Sequence, residues 1–138
     1  MDNPSNMLNS RKVSLIAVTV AASLGSNYIL IGVANVKIMD LLVFISGFIF
    51  GSLIGASVGV LIWAIYGVLN PYGFVPQIWF ATMLSESVYG VVGGILGKSL
   101  SIASPSNNKI LLSILFGAVG FLLTFIYDLA TNIAFALT

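Results

Sequence analysis

The sequence predicts an all-α, polytopic transmembrane helical bundle forming a single domain over residues 1–138. Three observations predict it. Of 138 residues, 59% are hydrophobic and only 7% are charged, with a mean hydropathy of +1.11, far above a soluble domain. Apolar runs recur at lengths near the roughly 20 residues a helix needs to cross a bilayer. Prolines, asparagines and paired polar residues gather between those runs. The composition also narrows the chemistry. With no histidine and no cysteine, the chain offers no histidine-based catalysis, Cys/His zinc site, haem-attachment motif or disulfide framework. A net charge of +1 with scattered basic residues leaves no footprint for nucleic acid. Nothing calls for a cofactor or a metal. The apolar segment after Arg11 and Lys12 is too long for a signal-peptide core and has no clear cleavage site.

Val13 to Val33 is the first expected span. A second, about Ile38 to Phe50, is short for a full crossing, and the glycines from Gly47 to Gly51 permit a turn into a third that runs to Leu69. Asn70 to Pro76, NPYGFVP, is the strongest loop, because two prolines, a glycine and an asparagine do not continue a helix. Gln77 to Leu100 is the fourth span, SIASPSNNK a polar loop, and Ile110 to Leu137 the fifth. Basic residues of short loops collect on the cytoplasmic side. A cytoplasmic amino terminus places Arg11, Lys12, Lys98 and Lys109 inside and only Lys37 outside, so that orientation is expected. Five spans then leave Thr138 at the outer face, with no polar tail or basic anchor in ATNIAFALT, and a sixth helix is expected beyond it.

Helical faces identify the candidate residues. In GSLIGASVG, Gly51, Gly55 and Gly59 recur every four positions, a spacing that lets another backbone approach closely. Ala17 and Ala21 form a similar strip in the first span. Farther along the third span come Trp63, Tyr66 and Asn70, either an interfacial aromatic belt or a ligand wall. On a 3.6-residue repeat, Trp79, Thr82, Glu86, Gly90, Gly93 and Gly97 share one face of the fourth span. A charged side chain at the bilayer centre costs about 2.5–3.5 kcal/mol on insertion scales. Glu86 is therefore expected to point inward, either bonding between helices or holding a cation or proton. The fifth span repeats the pattern with Gly117, Gly120, Thr124, Asp128 and Thr131, and Asn132 at the edge. Trp79, Glu86, Asp128, Asn132, Tyr72 and Asn70 are the expected substrate-binding residues.

Taken together, the first-span AxxxA, GSLIGASVG, the NPYGF loop, the SESVYGVVGG helix and the YDLATN end of the last span resemble an S component of an energy-coupling factor (ECF) transporter. The resemblance covers about Val13 to Thr138 and rests mostly on small-residue patterns. It implies a six-helix membrane subunit that captures a vitamin or related micronutrient in a pocket near the outer face. It also implies docking through Ala17 and Ala21 onto a transmembrane coupling subunit driven by two ATPases. The chain has no Walker A motif, so it does not hydrolyse ATP by P-loop chemistry.

Two other classes compete. One is a non-transporting scaffold resembling the cell-shape protein MreD, which would tolerate loss of Asp128 and Glu86 more readily and need no small ligand. The other is a small proton-coupled carrier with Glu86 as its proton site, although the inverted repeat common in carriers is not apparent. An enzyme is not expected, because two acids at different depths with no nucleophile–base pair make no catalytic set. The lack of arginine after Arg11 argues against a bidentate clamp for carboxylates and phosphates, while Lys37 at the outer rim leaves an anion open. Acids among aromatics suit a cationic or neutral ring-bearing ligand.

Overall fold

A computed structural model describes residues 10–33, 38–71, 73–102 and 109–138. These form α1 (Ser10–Ile29), α2 (Met39–Phe50), α3 (Ser52–Leu69), α4 (Pro76–Ile102) and α5 (Lys109–Ala136), with no strand among the described residues. Four of the helices are long and apolar enough to cross a membrane, and α2 is not. Its 12 residues rise about 18 Å, short of a hydrocarbon layer of about 30 Å. The amino-terminal boundary of α4 falls one residue earlier than the loop composition suggests. Pro76 opens the helix, where its missing N–H costs nothing and its fixed φ suits the first turn. The first helix stops at Ile29, short of Val33, and residues 30–33 turn through Ile31 and Val33 N–H bonds to Tyr28 and Leu30 carbonyls.

A single residue joins α2 to α3. Gly51 has φ 99° and ψ 160°, a combination open to glycine and strained for any side chain. Its N–H donates to the Gly47 carbonyl, and its own carbonyl accepts from Gly55 N–H, so the backbone stays bonded through the bend. The fold-back is tight: a Cβ on Gly55 would lie 2.5 Å from the Gly47 Cα. Of the glycine triplet read as one packing stripe, Gly51 is thus the hinge, while Gly55 and Gly59 face a neighbour.

The helices stack in the order α1, then α2 with α3, then α4, then α5, and α1 and α5 do not meet among the described residues. Met39, Val43, Val58 and Ile62 are fully buried where α2 and α3 come together. Against them α4 lays its glycine face. A Cβ on Gly90 would collide with the Gly55 backbone, and one on Gly59 would lie 2.8 Å from the Glu86 carbonyl oxygen. Lipid offers helices no hydrophobic reason to associate, so close van der Waals packing of this kind holds them together. Leucines, isoleucines and valines cover the outward faces of all five helices.

The glycine contacts separate two substitutions of equal size. Gly59→Ala forces a methyl group into the α4 backbone and is expected to destabilise the chain by about 1–3 kcal/mol. Gly25→Ala, on α1 with open space around it, is expected to cause no loss. Denaturant unfolding in mild detergent compares them, and equal stabilities would mean that α3 and α4 do not approach so closely.

Candidate functional site

The site grows out of the antiparallel register of α3 and α4. On α3, Gly55, Gly59, Trp63 and Gly67 follow at intervals of four. Opposite them on α4 stand Gly90 against Gly55, the Glu86 backbone against Gly59, and Trp79 against Gly67. Small residues therefore meet backbone at the end near the α2–α3 turn, and indoles fill the space at the end near residues 70–76. Gly67 clears the room for Trp79, since a Cβ there would strike the ring and lie 2.7 Å from its Nε1.

Within this register two indoles and a carboxylate are linked. Glu86 is fully buried, and its Oε2 accepts a hydrogen bond from Trp63 Nε1 at 3.2 Å. The Trp63 carbonyl in turn accepts from Trp79 Nε1 at 2.8 Å. Trp63 and Tyr66 are both buried and pack edge to face with ring centroids 5.4 Å apart. Their inward position makes them a wall of the bundle interior, so the belt reading does not apply to them. Tyr66 meets Tyr28 of α1 at 5.6 Å, and the Tyr28 hydroxyl donates to the Leu69 carbonyl at 3.1 Å, tying α1 to the same end of α3. Trp79 is flanked by Phe74 and Phe80 at 5.6 and 4.9 Å. Thr82, also buried, returns its hydroxyl to the Ile78 and Trp79 carbonyls. The face predicted for α4, from Trp79 through Glu86 to Gly97, is thus turned into the bundle.

The other expected residues fall elsewhere. Asn70 is half-buried and caps α3 locally, its Nδ2 donating to the Gly67 carbonyl at 2.7 Å. Tyr72 and Lys37 lie outside the described residues. Asp128 and Asn132 are exposed on α5, and no side-chain contact joins them to Trp79 among the described residues. The physical reason is rotational: α5 packs through Phe116, Val119, Leu123 and Tyr127, about 100° around the helix from the stripe that carries Asp128. Ala17 and Ala21 are exposed on α1.

One acid escaped the sequence reading. Asp40, in the first turn of α2, is half-buried. Asp40, Glu86 and Asp128 all act electrostatically on the hydroxyls of Tyr89 and Tyr127, whose rings pack edge to face at 6.1 Å. Tyr89 donates to Thr124 Oγ1 at 3.4 Å across the α4–α5 contact. The available signal was that Asp40 is the lone charge in the apolar run MDLLVFISGFIF, the same rule that singled out Glu86. Among the described residues no group of His, Cys, Asp and Glu is arranged to hold a metal ion.

Fold and site together define a helical, membrane-type protein with an acid and two indoles linked in its interior. The chain matches no protein-family model, no curated protein and no solved structure. The likeness to ECF S components therefore rests on the motifs quoted from the sequence.

The Trp63–Glu86 bond is open to a direct test. Trp63→Phe keeps an aromatic ring and the backbone carbonyl that Trp79 uses, and it removes the donor to Glu86. Loss of a partner to a buried polar group costs about 1–3 kcal/mol. A double-mutant cycle with Glu86→Leu, which removes the acceptor, read by unfolding in detergent, is expected to show coupling. Strict additivity would mean that the two side chains do not interact.

Proposed function

We propose that this chain is the substrate-capturing membrane subunit of an ECF-type uptake transporter, binding a ring-bearing cationic or neutral micronutrient against Trp63, Trp79 and Glu86. The observation that carries the proposal is the wholly buried carboxylate of Glu86, held by one indole that is itself bonded to a second. An acid enclosed in a membrane bundle is costly to keep and ordinarily marks a path or a site. Aromatic walls with a few convergent polar groups are the usual make-up of a small-molecule pocket. With the amino terminus in the cytoplasm, the indole end of α3 and α4 and the 70–76 loop face outward, where a captured substrate arrives. Energy comes from partners, a transmembrane coupling subunit and its ATPases, which dock on the exposed Ala17 and Ala21 strip.

A scaffold resembling MreD competes, and the backbone interlock of α2, α3 and α4 favours it to the extent that a rigid frame needs no ligand. Binding separates the two. A panel of water-soluble vitamins with cationic, neutral and anionic members, titrated against the reconstituted full chain, is expected to yield a saturable change in indole emission with a cationic or neutral member. If Glu86 acts through hydrogen bonds, Glu86→Gln keeps binding and Glu86→Leu loses it. If its charge holds the ligand, both lose it. Binding by neither parent nor variants, with the fold intact, would leave the scaffold. Replacing Ala17 or Ala21 with Leu adds bulk where a partner helix must fit. Both variants are expected to lose co-purification with the coupling subunit while retaining ligand binding, and full recovery of the complex would rule out docking there.

A further inference from the structure

Between α1 and the glycine hinge that joins α2 to α3 lies a cavity of about 190 Å³. Ile16 and Ile54, both buried, give it an apolar base, and the exposed side chains of Phe50 and Leu53 line it as well. Lys12, exposed in the first turn of α1, brings the charge. Ser52 and Ser57 complete the polar lining. Their hydroxyl protons are committed, to the Val91 carbonyl at 3.1 Å and the Leu53 carbonyl at 2.8 Å, so their oxygens remain as acceptors. The cavity thus offers one cation and two acceptors over an apolar base.

Depth and charge narrow what fits. The 18 residues of α3 extend about 27 Å, close to a hydrocarbon layer of about 30 Å, so a cavity at its first turns lies where headgroups meet acyl chains. The charge at that end is of one sign. Arg11 and Lys12 open α1, Lys98 stands in the last turns of α4, and Lys109 opens α5. Gly94 against Ser52 and Phe116 against Phe48 place those helix ends beside the hinge. The described acids lie away from it: Asp40 begins α2 at the opposite end, Glu86 is in mid-bundle, and Asp128 is in the far half of α5. A further apolar helix of this chain would cover Phe50 and Leu53 and leave the lysine unanswered. An anion with an apolar body answers both. The volume falls below the roughly 300–1,000 Å³ that encloses a drug-sized ligand, so a headgroup fits if its chains stay outside.

We propose that this cavity binds an anionic phospholipid. The phosphate sits beside Lys12, headgroup hydroxyls donate to the oxygens of Ser52 and Ser57, and the acyl chains run along Phe50 and Leu53. Basic pockets between membrane helices hold such headgroups. The site lies at the other end of α3 from the indoles, and it goes beyond the transport reading without depending on it.

The full chain, purified in mild detergent, is titrated with phosphatidylglycerol, with phosphatidylcholine of the same acyl chains, and with glycerol phosphate, and bound ligand is counted by native mass spectrometry. Phosphatidylglycerol is expected to bind at least tenfold more tightly than either. Equal binding of phosphatidylcholine would mean unselective boundary lipid, equal binding of glycerol phosphate would mean a site for a free phosphate ester, and each would overturn the proposal. Lys12→Gln is expected to weaken phosphatidylglycerol binding at least tenfold, beyond the roughly fivefold that one basic residue adds at any anionic surface. Lys98→Gln, at the same end, is expected to stay within that fivefold, and equal losses would reduce the site to general surface charge. The absence of cysteine from the full sequence lets occupancy be placed. In Leu53→Cys, which spares Lys12 and both serines, phosphatidylglycerol is expected to slow maleimide labelling at least tenfold. Ser101→Cys, exposed near the end of α4, is expected to label at an unchanged rate. A thiol at position 53 that lipid leaves open, or one already closed before lipid is added because another part of the chain covers it, would overturn the assignment.

Discussion

The backbone-to-backbone approach of α3 and α4 is the constraint from which the rest of the molecule follows. Between Gly55 and Gly90, and between Gly59 and Glu86, the helices touch without side chains between them. In water such a contact would be driven by burial of apolar surface; in lipid it is held by dispersion and geometry. Once Gly59 lies against the Glu86 carbonyl, Trp63 stands one turn along on the same face, and its indole N–H reaches the Glu86 side chain. Another turn along α3, Gly67 opens space that the Trp79 ring occupies. The acid is buried because the glycines set the depth and rotation at which it enters the bundle.

Much of this was legible in the sequence. The apolar runs located all five helices, and the shortness of the second was visible in its length. The glycine cluster marked the α2–α3 bend, though periodicity could not say which glycine would carry the positive φ, because hinge and packing glycines look alike along a chain. Glu86 was placed inward by the cost of a carboxylate in hydrocarbon, and the described burial agrees. The bond from Trp63 to Glu86 was not legible. It depends on the stagger of two antiparallel helices, which intrahelical spacing does not encode. Asp40 stands at a helix start, where an acid also complements the helix dipole, so its charge alone does not mark a site.

Glu86 and Asp128 show the limit of one rule applied twice. Both sit on stripes of small and polar residues, and both stripes looked alike as helical wheels. In α4 the stripe is the packed face; in α5 the packed face is the adjacent one, through Leu123 and Tyr127, and the stripe is mostly exposed, with the Tyr89 hydroxyl of α4 reaching its Thr124. A polar stripe in a membrane helix identifies a face that avoids lipid. It does not identify what covers that face, and for α5 nothing among the described residues lies against Gly117 or Gly120.

The register also says where a small molecule can enter at least cost. At the α2–α3 turn end of the α3–α4 pair, the contacts are backbone on backbone, and separating them would leave glycines with nothing to pack against. At the other end, the contacts are rings against rings: Trp63 on Tyr66, and Trp79 between Phe74 and Phe80. Rings can turn about two side-chain torsions and meet a planar ligand in place of one another, exchanging one set of dispersion contacts for a similar set. Glu86 stands where the two regimes meet, its backbone against Gly59 and its carboxylate against Trp63. A ligand that parts the rings therefore arrives at a charged or hydrogen-bonding group whose position is fixed by the rigid half of the pair. A specific site in a membrane bundle requires that division of labour, with adaptable walls around a polar group that does not move.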